Sequence, residues 1–194
     1  MNRWLDADSA ELERFRDFLM LLCRLQLGPP MHGRLDASDL VQQTLLDACR
    51  DWAAFRGSTE EELAAWLRRL LACNLVDARR AMGREKRDIS RERSLEQQLH
   101  ESCLRLEACL EAVQTSPSGR AVRNEQLLLL AAALQQLPDA QREVIELHHL
   151  QEISLAQTAA ALNRSQASVA GLLRRGLRGL RQLLDEPAAW GSRP

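Results

Sequence analysis

Leucines recur at three- and four-residue spacing along almost the whole chain, and that period predicts one helix after another. Asp8 with Glu11 gives a capped start to a first helix in which Leu12, Phe15, Leu19 and Leu22 share a face. Gly28-Pro29-Pro30 predicts its stop, and His32-Gly33-Arg34 a loop. Asp36, with Asp39 three residues on, opens a second helix that turns Val41, Leu45, Ala48 and Trp52 inward, and Phe55-Arg56-Gly57 breaks it. Ser58 with Glu61 predicts a capping box for a long third helix carrying Leu63, Trp66, Leu67, Leu70, Leu71, Asn74 and Leu75, with Gly83 at its end. The charged residues 84–93 read as a solvated loop. From about Ser94 to Val113, Leu95, Leu99, Cys103, Leu106, Leu110 and Val113 approach a heptad pattern. Two readings stay open for that helix: a linker resting on its own domains, or a coil for a partner or dimer.

Thr115-Ser116-Pro117-Ser118-Gly119 has linker composition. Beyond it a helix is expected over Glu125 to Leu137, and Pro138 suits the first turn of the next. Ser154 and Gln157 form another capping box, and Asn163 takes the left-handed conformation that ends a helix. Ser165 caps the last helix, whose inner face reads Val169, Leu173, Leu177, Leu180 and Leu184. That helix gathers Arg174, Arg175, Arg178 and Arg181, with no acid between Arg164 and Leu184. A short helix, a turn and an arginine-rich helix is how a helix-turn-helix lays one helix in the DNA major groove. The pattern points to a promoter-reading protein and away from an enzyme.

Composition agrees with an all-α fold. Tyr is absent and only three Phe occur, while Leu and Ala abound. No apolar run is long enough for a membrane span, and Met1-Asn2-Arg3-Trp4-Leu5-Asp6 lacks a signal peptide's apolar core, so a cytoplasmic protein is expected. The five cysteines are scattered without a C-x-x-C pair, which argues against zinc and for reduced, buried thiols. His148 and His149 point to different helix faces and have no ligand set around them, so neither metal nor acid–base chemistry is expected there. Thr115, Ser116 and Ser118 are linker residues, not nucleophiles. No cofactor is expected. The net charge of −1 argues against tight binding to DNA by the free protein. Its distribution carries more: residues 66–93 and 164–184 are basic on an otherwise acidic body. Two DNA contacts and a second, non-DNA partner follow from that layout.

The residues resemble a known family. Asp36-Ala37-Ser38-Asp39-Leu40-Val41-Gln42-Gln43-Thr44 resembles region 2.2 of bacterial RNA polymerase sigma factors. Ala65-Trp66-Leu67 with Asn74-Leu75-Val76-Asp77-Ala78-Arg79-Arg80 resembles regions 2.3 and 2.4. Leu134-Gln135-Gln136-Leu137-Pro138, Arg142-Glu143-Val144 and the helix-turn-helix resemble region 4. The plan, without region 1.1 or domain 3, is similar to the extracytoplasmic-function (ECF) subfamily of the sigma-70 family. The resemblance implies two small helical domains joined by a partly helical linker. Region 2 would occupy residues 1–92, the linker 93–122, region 4 residues 123–186, and a tail 187–194.

What the family does sets further expectations. Region 2 would dock on the β′ coiled coil of core polymerase through Asp39, Gln42 and Gln43. The family more often has Glu at position 43, so Gln43 would exchange a charge-assisted bond for a weaker neutral one. Arg79, Arg80, Arg84, Lys86 and Arg87 would meet the −10 element, where residues 83–93 offer no aromatic for a flipped base. Trp66 reads as core, and Asn74 and Asp77 as either bridges within the domain or DNA contacts. Region 4 would bind the β flap and read the −35 element through Arg164, Gln166, Ala167, Ser168, Arg174 and Arg175. Ala170 and Leu172 stand where the family usually has basic residues, which lowers the affinity expected. Gly171, Gly176 and Gly179 weaken the helix unless they admit a close backbone, such as DNA or the flap. An anti-sigma factor or other regulator is compatible with all of this. Two other readings remain: a dimeric stand-alone helix-turn-helix regulator paired through residues 94–113, and a sigma-like adaptor that reads no promoter.

Overall fold

The computed structural model of the chain describes residues 11–31, 35–81, 89–113 and 120–185, and every element among them is helical. The chain divides into two compact units, Met1–Leu104 and Arg105–Pro194.

The first unit is built on α1 (Arg16–Met31), α2 (Ala37–Arg50) and α3 (Glu60–Ala81), each packed on the other two. Its core comprises Phe15, Phe18, Leu19 and Leu22 with Val41 and Leu45 of α2 and Leu67, Leu71 and Leu75 of α3. Asp36 caps α2, its carboxylate accepting from Ser38 N at 2.8 Å. The box on α3 sits one residue later than expected. Glu62 N donates to Thr59 Oγ1 at 3.2 Å, while Glu62 Oε2 accepts from Thr59 N at 3.1 Å and Ser58 N at 2.7 Å. Those bonds favour the charged carboxylate and hold the Glu62 pKa below its ordinary value.

The Gly-Pro-Pro stop does not hold, since α1 runs through it to Met31. Pro30 has no N–H for the carbonyl of Gln26, four residues earlier. Arg79 supplies the missing donor, its Nη2 lying 3.0 Å from Gln26 O.

Between α2 and α3, a 3-10 turn (Trp52–Ala54) sets Trp52, Phe55 and Trp66 in a half-buried cluster with ring centroids 5.2–6.1 Å apart. Trp66 therefore packs against aromatic neighbours, half-buried and at the edge of the core, not inside it as expected. Helix α4 covers Ile89–Val113, so residues 89–93 are helical and not loop; Arg and Glu are good helix formers and no Gly or Pro intervenes. Leu95, Leu99 and Cys103 are buried, and Gln26 Nε2 donates to Ser102 Oγ at 3.3 Å. The start of α4 therefore packs on the first unit.

The second unit holds α5 (Arg120–Gln136), α6 (Asp139–Ile145), a wider π turn (Glu146–Leu150), α7 (Leu155–Ala161) and α8 (Gln166–Asp185). Helix α8 packs against α5, α6 and α7. Pro138 stands just outside α6 as its N-cap, not in its first turn, and its carbonyl accepts from Gln141 N at 2.8 Å and Arg142 N at 3.1 Å. Cys23, Cys103 and Cys109 are buried, but Cys49 and Cys73 are exposed, contrary to the expectation of five buried thiols. Burial pushes the Cys23 thiol up to about 12 and Cys109 up to about 11. No helix among the described residues is long and apolar enough to cross a membrane.

Candidate nucleic-acid interface

Three local devices place α8. The first is the Ser154–Gln157 capping box, with Gln157 N 3.3 Å from Ser154 Oγ and Ser154 N 3.3 Å from Gln157 Oε1. The second ends α7. Asn163 adopts φ 50, with Asn163 N bonded to Ala160 O at 3.2 Å and Arg164 N to Ala159 O at 2.9 Å. This is the paired closure of a Schellman end. The third is Ser165, whose Oγ accepts from Ser168 N at 3.2 Å and whose carbonyl accepts from Val169 N at 3.0 Å. The chain thus reverses in a few residues, and a core of Val144, Ala159, Val169 and Leu172 locks α7 to α8.

The turn before α7 is clamped by histidine. His148 Nδ1 lies 2.8 Å from Ile153 O, and a carbonyl only accepts, so that nitrogen carries the proton. Thr158 Oγ1 donates to the same oxygen at 3.4 Å. The other ring, His149, has its pKa lowered by burial and then by His148, which favours neutral imidazole. Among the described residues no group of His, Cys, Asp or Glu is arranged to hold a metal ion.

With the inner side of α8 fixed, its outer side is fixed too. Arg164, Gln166, Ala167 and Ser168 are all exposed at the start of α8, and Arg174, Arg175, Arg178 and Arg181 are exposed along it. The face runs from uncharged, small side chains to arginines over about 22 Å of helix axis at 1.5 Å per residue. Backbone N–H groups left free in the first turn add positive potential at the uncharged end.

Residues 127–180 match the family model for sigma-70, region 4.

The match runs from Leu127 in α5 through α6, the π turn and α7 to Leu180 in α8, and it supports sigma-70 family membership. Sigma-70 region 4 is a transcription-factor family. Within this region 4, the structure corrects the sequence reading of α8. Leu172 is only 9 % exposed and belongs to the core, so its lack of charge removes no DNA contact. Gly176 is also buried. A Cβ there would lie 2.9 Å from Ile145 Cδ1 and 3.3 Å from Gln141 Cβ, so this glycine admits α6 and not an external backbone. Gly179 likewise faces Leu137, 3.1 Å from a Cβ at that position. Ala170 is exposed and remains an uncharged spot on the outer face.

The sequence reading gave Arg142 a part in the resemblance but no structural role. Arg142 bonds Gln135 O at 3.3 Å through Nη1, pairs with Asp139, and lies 3.9 Å from Glu146 through Nε. It ties the end of α5 to α6 and the π turn. Its spacing from Asp139 and Glu146, three and four residues, was the available signal.

In the first unit, Asp39, Gln42 and Gln43 lie together on the exposed side of α2. Gln42 Oε1 accepts from Arg16 Nη2 at 2.9 Å, and Gln43 Nε2 donates to Asp47 at 3.0 Å. Leu46, 53 % exposed, continues the same side. Asn74 bridges inside the unit, donating to Thr44 Oγ1 and Asp47 Oδ2, each at 3.1 Å. Asp77 pairs with Arg80 at 2.8 Å. Asn74 thus bridges α2 and α3, while the Asp77 pair is an exposed one between neighbours on the same helix. Arg79 is half-buried on Gln26 O, and its Nε is buried without a partner. Arg84, Lys86 and Arg87 lie outside the described residues.

Proposed function

We propose that the chain is a sigma factor of the extracytoplasmic-function kind, which brings core RNA polymerase to a subset of promoters. The observation that carries this reading is the outer face of α8. Its exposed first turn and its row of exposed arginines are held outward by a buried core in a domain that matches sigma-70 region 4. Gln166, Ala167 and Ser168 face base edges of the −35 element, while Arg164, Arg174 and Arg175 supply charge. The first unit acts as region 2. Its Asp39, Gln42 and Gln43 side docks on the β′ coiled coil, Arg80, Arg84, Lys86 and Arg87 face the −10 element, and Arg79 supports that surface from within.

The adaptor reading rested on two absent charges, and the burial of Leu172 leaves only Ala170 behind it. The near-zero net charge makes affinity for duplex DNA depend on polymerase. The free chain is expected to bind promoter duplex weakly. With core enzyme, affinity should appear and fall with salt by roughly 0.9 log units per log unit for each phosphate contact. Fluorescence anisotropy over a salt series tests this, and tight, salt-insensitive binding by the free chain would contradict it.

A further inference from the structure

Arg175 and Gly171 sit one turn apart on α8, and the Arg175 guanidinium folds back over the glycine. A Cβ built on Gly171 would lie 3.4 Å from Arg175 Nη1, 3.9 Å from Nη2 and 4.0 Å from Cζ. Long helical side chains lean toward the N-terminus over the residue four positions earlier. Any branched or long side chain at position 171 would compete for that space. Ser168 precedes Gly171 by three residues and shares its face, so a guanidinium folded over Gly171 lies toward the uncharged, exposed first turn.

We propose that Gly171 is a positioning residue that lays the Arg175 fork along α8, on the base-reading part of its outer face, where it reads a guanine. This rests on region 4 contacting promoter DNA through α8. Two features support a base over a phosphate. The planar fork fits the O6 and N7 acceptors of guanine in two-pronged fashion. Its neighbours Ala167, Ser168, Ala170 and Gly171 are small, so the helix can approach base edges closely enough for a folded-back arginine to reach them. Arg174, one residue before Arg175, points to a different side of the helix and is left for phosphate.

The test selects −35 sequences from a randomised duplex library with the full chain and core polymerase. It compares wild type, Arg175→Ala, Gly171→Ala, Gly171→Leu and the double variant Gly171→Leu with Arg175→Ala. Arg175→Ala should lose a guanine preference of about tenfold or more at one position. Gly171→Leu should lose the same preference, and the double variant should be no worse than Arg175→Ala. Gly171→Ala, whose methyl makes an ordinary contact at 3.4 Å, should keep it. Thermal melting of Gly171→Leu should match or exceed wild type, because leucine favours helix over glycine and the nearest atoms to a Cβ at this half-buried position belong to the flexible Arg175 side chain. A Gly171→Leu protein that still prefers the guanine, or additive losses in the double variant, would overturn the positioning role. A wild-type protein that selects no sequence at all would instead refute the underlying promoter reading.

Discussion

Leu172→Arg is expected to unfold the helix-turn-helix and not to tighten its hold on DNA. The resemblance stated from sequence implies a basic residue at position 172, and that reading alone would make the substitution a gain of function. Here Leu172 packs with Val144, Ala159 and Val169 at the junction of α7 and α8. Losing a buried leucine costs about 2–5 kcal/mol, and a guanidinium in its place adds the cost of burying a charge without a partner. Amide hydrogen exchange across α6–α8 should lose protection, and promoter binding should be lost with it. Ala170→Arg is the matched control. Its site is exposed, so protection should stay within about 0.5 kcal/mol of wild type, while affinity for promoter DNA rises. Unchanged protection in Leu172→Arg would mean that the junction does not hold α8 in place.

Asp39→Arg combined with Gln43→Arg is expected to abolish binding to core polymerase and to leave the first unit folded. Both side chains are exposed, and neither joins the core of α1, α2 and α3. The changes in stability are local. Reversing a charge in the first turn of α2 costs about 0.3–1 kcal/mol against the helix dipole. An arginine at 43 still has Asp47 four residues on, where Gln43 now donates at 3.0 Å. The proposed docking sets the acidic Asp39 against a basic patch of the partner, where two new positive charges should weaken association on the order of a hundredfold. Co-purification with core enzyme measures the loss, and circular dichroism confirms the fold. Undiminished co-purification would remove α2 from the polymerase contact.

Local chemistry made much of this legible in sequence. Ser154 with Gln157, Asn163, Ser165 and Asp36 each act on backbone within a few residues, so their roles could be read without the rest of the fold. The box on α3 shifted by one because Ser58-Thr59 and Glu61-Glu62 offer two equivalent registers. The glycines and Leu172 were misread for a different reason. An inward position without a side chain leaves no hydrophobic mark, so Gly176 broke the apparent stripe and moved the inner face toward Leu173 and Leu177. Arg79 depended on a partner 53 residues away, and its role follows from a carbonyl that Pro30 leaves without a donor. The polar side of α2 was legible because helical periodicity alone puts Asp39, Gln42 and Gln43 opposite Val41 and Leu45. The ties that fix it, from Arg16 to Gln42 and from Asp47 to Asn74, join different helices and could only come from the fold.

Run-off transcription with purified chain and core polymerase on fragmented genomic DNA tests the central claim most directly. The chain should direct discrete transcripts from a small set of start sites, and Asp39→Arg with Gln43→Arg should silence all of them. If core enzyme initiates no differently with the wild-type chain than without it, from any genomic template, the chain is not a sigma factor.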